Sequence, residues 1–143
     1  MSTFVTGRTL NGDGNPIDGT GFEVAPDGPV AELLAERTGP VTSHPTRPVW
    51  GAPLDGPEGT MRQVSIVGAG YDGPPEHYHT RSDEMFDVRR GTVTFTLDGT
   101  DRAVAAGERT TVETGVRHTF RHCLLSTSDA ADEAAIVVIV RPL

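Results

Sequence analysis

The chain has 143 residues, 20 of them acidic and 12 basic, for a formal net charge of −8. That length suits one domain, and the charge repels phosphate backbones, so nucleic acid is set aside as a partner. Every basic residue is an arginine, which excludes Schiff-base lysine chemistry and the lysine of phosphate-binding loops.

The single cysteine, Cys123, excludes an internal disulfide framework and a thiolate zinc knuckle, and is expected to be a small buried residue in a strand. The longest apolar run, residues 134–140, is far short of the ~18 residues of a helical membrane span. No charged-then-apolar leader follows Met1, so the expected location is cytoplasmic, without a membrane partner. Seventeen glycines and eleven prolines place turns at short intervals and favour an all-β domain.

In chain order, residues 4–10 suit a short strand before the turn-rich NGDGNPIDGTG, and 22–24 suit another. A short helix is expected over 30–37, with Val30, Leu33 and Leu34 as its apolar stripe and Gly39-Pro40 as its stop. Residues 39–59 are proline-rich and lack periodicity, so residues 1–59 read as an N-terminal arm lying on a barrel of residues 60–143 or on a partner. Trp50 is its expected anchor, and His44 a surface residue. Residues 60–67 alternate. If Val64 and Ile66 point inward, Arg62 does too.

The stretch GYDGPPEHYHTRSDEMFDVRRG then puts His77 and His79 two apart. On a strand they would share one face roughly 7 Å apart, with Tyr78 turned away. Glu84 has the wrong parity for that face, but Thr80-Arg81-Ser82-Asp83 has turn composition, and a hairpin there would return Glu84 to the histidines. Phe86 and Val88 share the face of Glu84. Val93, Phe95 and Leu97 alternate with threonines, Asp98-Gly99 makes a hairpin turn, and short strands follow at 102–106 and 109–113. Over 116–122, Val116, His118, Phe120 and His122 share a face. A polar turn at 126–133 and a strand at 136–140 close the chain.

The pattern of His77, His79, Glu84 and Gly91, followed by Gly107, Gly115 and His118, resembles the two motifs of the cupin superfamily. Tyr71, Glu113 and His122 stand where that pattern has glycine, proline and asparagine. The resemblance implies a single-domain cupin-type β-barrel (double-stranded β-helix or jelly roll) with an irregular N-terminal arm and one short helix. It also implies a metal site of His77, His79, Glu84 and His118.

Three neutral imidazoles and a carboxylate suit iron, manganese, nickel, cobalt, copper or zinc, and affinity order does not choose among them. Arg62, Phe86, Phe120 and His122 are the expected pocket residues for a small-molecule ligand or substrate. Gly-Pro-Pro before the histidines and Asp83-Glu84-Met85-Phe86 after them look most like quercetin-dioxygenase-type cupins. By that resemblance an enolisable or phenolic compound is oxidised by O2, with Glu84 as ligand and proton acceptor. The alternatives are a metal-dependent isomerase or lyase on a sugar or small acid, and a non-catalytic ligand-binding cupin. Homodimer formation is expected through sheet faces or the arm.

Overall fold

In the computed structural model the described residues are 3–6, 21–24, 28–44, 47, 49–68, 70–122 and 135–142. They form eleven strands and one helix: β1 (Thr3–Thr6), β2 (Gly21–Val24), α1 (Pro29–Ala35), β3 (Thr42–Ser43), β4 (Val49–Pro53), β5 (Thr60–Val67), β6 (Glu84–Arg90), β7 (Thr92–Leu97), β8 (Thr100–Ala105), β9 (Arg109–Val112), β10 (His118–Arg121) and β11 (Ala135–Pro142). Cys123, most of the NGDGNPIDGTG turn and the 126–133 turn lie outside the described residues.

A six-stranded sheet runs β3-β4-β5-β11-β6-β9 and a three-stranded sheet runs β10-β7-β8, while β1 and β2 pair separately. All pairings are antiparallel. The two larger sheets enclose one apolar cluster that includes Val67, Phe86, Val88, Val93, Phe95 and Val137, with the rings of Phe86 and Phe95 4.9 Å apart. Burying each of these rings contributes about 1.5–3 kcal/mol. The hairpin between β7 and β8 turns at Asp98-Gly99, both at positive φ, as a two-residue turn between right-twisted strands requires.

The large sheet is covered on its other face too. Leu33 and Leu34 of α1 pack there with Trp50, Ala52, Leu54, Val64, Ile66, Ile136 and Val138. Strands covered on both faces lose alternation and read as apolar runs. Accordingly, all of residues 64–67 and 135–139 are buried.

Residues 39–59 are therefore more than an irregular arm. They contain β3 and β4, and β4 is hydrogen-bonded to β5 along its length. Proline content hid this, because Pro53 falls at the end of β4, where a strand tolerates it. Trp50 is buried against α1 of its own chain, and His44 is exposed. The helix is shorter than its periodicity suggests, because Arg37 already bridges Leu54 and Thr38 donates to the Pro53 carbonyl at 2.9 Å.

One glycine fixes the approach to the histidines. Gly73 has φ +92, and a Cβ there would overlap the carbonyl oxygen of Phe120 and lie 2.7 Å from Thr119 Oγ1. Gly59 has φ +81 with open space around it, so it isolates the backbone cost from the clash. Gly73→Ala is expected to cost on the order of 3 kcal/mol and Gly59→Ala about 1 kcal/mol, measured by denaturant unfolding. Equal losses would contradict the close approach.

Candidate metal centre

Hydrogen bonds between the segment 74–83 and the residues leading into and opening β10 assemble the site. Thr119 Oγ1 donates to the Pro74 carbonyl at 2.6 Å. His77 and His118 exchange both backbone hydrogen bonds, at 3.1 and 2.8 Å. Gly115 N–H donates to the His79 carbonyl at 2.8 Å, and Asp83 Oδ1 accepts from Thr114 N and Oγ1 at 2.8 and 2.9 Å. Residues 74–83 are thus laced in antiparallel order onto residues 114–119. His77 and His79 meet through this lacing and not by standing on one strand face, since only His77 joins a β-bridge. Tyr78 turns away and is exposed.

The result is a tight cluster. One ligand atom from each of His77, His79 and His118 lies within 4.8 Å of the others. Glu84, the first residue of β6, adds Oε2 at 3.3 Å from His79 Nε2 and Oε1 at 3.7 Å from His118 Nε2. His118 is fully buried and Glu84 nearly so.

Nδ1 of His77 faces the Pro75 carbonyl at 2.9 Å and Nδ1 of His118 faces the Val116 carbonyl at 3.0 Å. A carbonyl only accepts, so each Nδ1 carries a proton, and in the neutral tautomer this selects each Nε2 keeps its lone pair. Nε2 of His79 and of His118 are buried without a hydrogen-bond partner. A buried lone pair such as that of His118 Nε2, 3.7 Å from a carboxylate oxygen, is costly unless a cation stands between them. The donor set of three imidazoles and one carboxylate therefore fits a divalent transition metal.

Beneath the cluster, Phe86 lies 6.2 Å from the His118 ring and 5.8 Å from Phe120, which also packs on Phe95 and Tyr71. These rings form an apolar floor. His122 is on the same face as Phe120 but beyond it; it is buried, with Nδ1 donating to the Thr92 carbonyl at 3.0 Å. The structure does not bring it to the histidine cluster. Its backbone N–H donates to the Tyr71 carbonyl at 2.9 Å, so two departures from the cupin pattern meet there.

Arg62 is a correction. It shares a face with Val64 and Ile66, as parity requires, but that face packs under α1 outside the barrel. Its guanidinium donates to the Asp55 carbonyl at 3.2 Å and lies 3.7 Å from Glu36. The alternation was sound, but a sheet covered on both sides gives no local signal of which face is the barrel interior.

The arginine that does reach the site is Arg141, with Nη1 3.6 Å from Glu84 Oε2. It continues the inward series Ala135, Val137 and Ile139 of β11. Only the register of β11 against β6 discloses it.

Burial lowers the pKa of His79; Glu84 opposes that shift, and His118, His77 and Arg141 add to it. A lowered value means that the folded chain holds fewer protons than the unfolded one. The stabilising contribution of neutral His79 is fully present above the ordinary value of about 6.5 and is lost as pH falls through the folded value. In metal-free protein the His79 ring is expected to titrate, by NMR, with a midpoint below about 6.5; a midpoint at or above it would contradict this environment. His79→Ala is expected to weaken metal binding on the order of 100-fold or more, read as metal content after dialysis, and full retention would remove His79 from the donor set.

Comparison with known proteins agrees with this geometry. The family model described as Cupin domain matches residues 63–138. An oxidoreductase, iacF, of Pestalotiopsis fici is 33% identical over 85 residues, which cover 54% of this chain and 42% of that protein; the chain thus spans less than half of that relative. The cupin domain of Cnp3 from Schizosaccharomyces pombe superposes with a TM-score of 0.58 at 11% identity, covering 99% of this chain and 85% of the other. KdgF from a Halomonas species superposes with a TM-score of 0.55 at 14% identity, covering 66% and 79%. At those identities the structures speak for the fold alone. With more than half of its length matched by the family model and both motifs meeting at one cluster, the chain belongs to the cupin family.

Proposed function

We propose that the chain is a metal-dependent oxidoreductase of the dioxygenase kind, acting with O2 on a small enolisable or phenolic compound. One observation carries the reading: His77, His79 and His118 converge on one another, and the unpartnered Nε2 atoms of His79 and His118 also face the carboxylate of Glu84. The oxidoreductase name of the Pestalotiopsis fici relative supports the reaction class.

In this reading His77, His79, Glu84 and His118 hold one divalent transition metal. When bound, that ion supplies Lewis acidity towards a substrate oxygen and open positions for further ligands.

The chain's own residues do the rest. The Pro75 and Val116 carbonyls hold the His77 and His118 rings in the tautomer that presents Nε2, as partners behind metal-ligating histidines generally do. Phe86 and Phe120 supply an apolar floor beneath the histidines. Glu84 Oε2, within 3.3 Å of His79 Nε2 and 3.6 Å of Arg141 Nη1, would accept the proton that a substrate hydroxyl loses on binding as an anion.

Glutamine at position 84 retains a carbonyl oxygen for coordination but cannot take that proton. Metal-loaded Glu84→Gln, assayed by oxygen uptake against a panel of enols and phenols, is expected to lose turnover by about 100-fold or more and metal affinity by much less. Parallel losses would leave Glu84 as a ligand only, and turnover without oxygen uptake would replace this reading with isomerase or lyase chemistry.

A further inference from the structure

We infer that Arg141 is the carboxylate receptor of this site, so that the substrate is a small organic acid whose second oxygen, keto or hydroxyl, sits beside the histidine cluster. The inference rests on the reading above and narrows its substrate class.

Arg141 is near the end of β11, opposite Met61 of β5, while Ile139 stands opposite Gln63 and Phe86. Because Ala135, Val137 and Ile139 pack into the barrel cluster, alternation brings Arg141 to the same interior face. Its side chain is 41% exposed, against 9% for Glu84. The guanidinium therefore reaches inward from the rim while remaining open to solvent.

Among the described residues Glu84 is the one acidic partner of Arg141, and at 3.6 Å the pair is an ion pair and not a hydrogen bond. The same carboxylate oxygen lies 3.3 Å from His79 Nε2. The guanidinium and imidazole thus stand within reach of one small molecule. A divalent ion held by Glu84 would take up the carboxylate's charge and leave the fork of Arg141 without an anion. A divalent ion, one carboxylate and one guanidinium together carry a formal charge of about +2, which an anionic substrate offsets. A planar guanidinium binds a carboxylate through two parallel hydrogen bonds. Half-buried Met61 and Gln63 border the same mouth, offering an apolar wall and a neutral hydrogen-bonding group.

The test is calorimetric titration with pyruvate and with pyruvamide, which keeps the keto oxygen but lacks the charge. Wild-type protein is expected to prefer pyruvate, and Arg141→Gln to lose about tenfold or more in pyruvate affinity while pyruvamide affinity and metal content stay unchanged. Arg141→Lys, which keeps charge without the fork, retains a reduced preference. Equal pyruvate affinity in wild type and Arg141→Gln, equal losses for both compounds, or no pyruvate binding by wild type would overturn the inference. The titrations are run on metal-loaded and on metal-free protein. Absence of metal from the wild type would overturn the reading of the centre; Arg141 is then decided by the same difference between the two compounds in metal-free Glu84→Gln, whose guanidinium no longer faces a carboxylate.

Discussion

The reciprocal backbone pairing of His77 with His118 is the constraint on which the rest of this structure depends. It joins residues 41 positions apart in the sequence and fixes the two imidazoles with their centroids 4.3 Å apart. Flanking contacts at Pro74, His79 and Asp83 lace the two loops further. Without them the 74–83 segment would be an exposed loop carrying two histidines in no defined relation to Glu84. The hairpin turn at Asp98-Gly99 supports the same edge, because Asp98 accepts from the Arg117 N–H at 3.0 Å and donates its own N–H to the Arg117 carbonyl at 2.8 Å. Preorganisation of this kind brings the three imidazoles together, at a cost borne by the surrounding packing.

That packing is two-sided. The inner cluster of Phe86, Phe95, Phe120 and the valines supports the histidines from below, while α1, Trp50 and Leu54 cover the outside of the large sheet. The outer layer ties residues 28–54 to β5 and β11, the strand that delivers Arg141. Arg47 reaches from the β3–β4 connection to the Gly73 carbonyl and to Asp72, so the N-terminal segment also touches the approach to His77. The N-terminal stretch and the histidine cluster are therefore mechanically joined.

Much of this was legible in the residues. Strict alternation in EMFDVRR and TVTFTL gives β6 and β7 with their inward faces, and the cupin resemblance pointed to His77, His79 and His118, which the fold brings together. Three features were not legible, each for a physical reason. Residues 39–59 carry prolines at strand ends and are buried mainly through Trp50 and Ala52, a pattern too short for periodicity to register as β4. The parity of Arg62 with Val64 and Ile66 was read correctly, but only long-range packing says that this face meets α1. Arg141 sits after an apolar run buried on both sides, where alternation is erased, so only strand register brings it to Glu84.

The central claim, that the two laced loops and β6 build one metal centre, is tested most directly by anomalous diffraction from crystals of metal-loaded protein at the absorption edge of the metal. The account predicts a single peak bounded by His77 Nε2, His79 Nε2, His118 Nε2 and a Glu84 carboxylate oxygen. A peak elsewhere, or a fully loaded crystal with no peak among these four side chains, would contradict it.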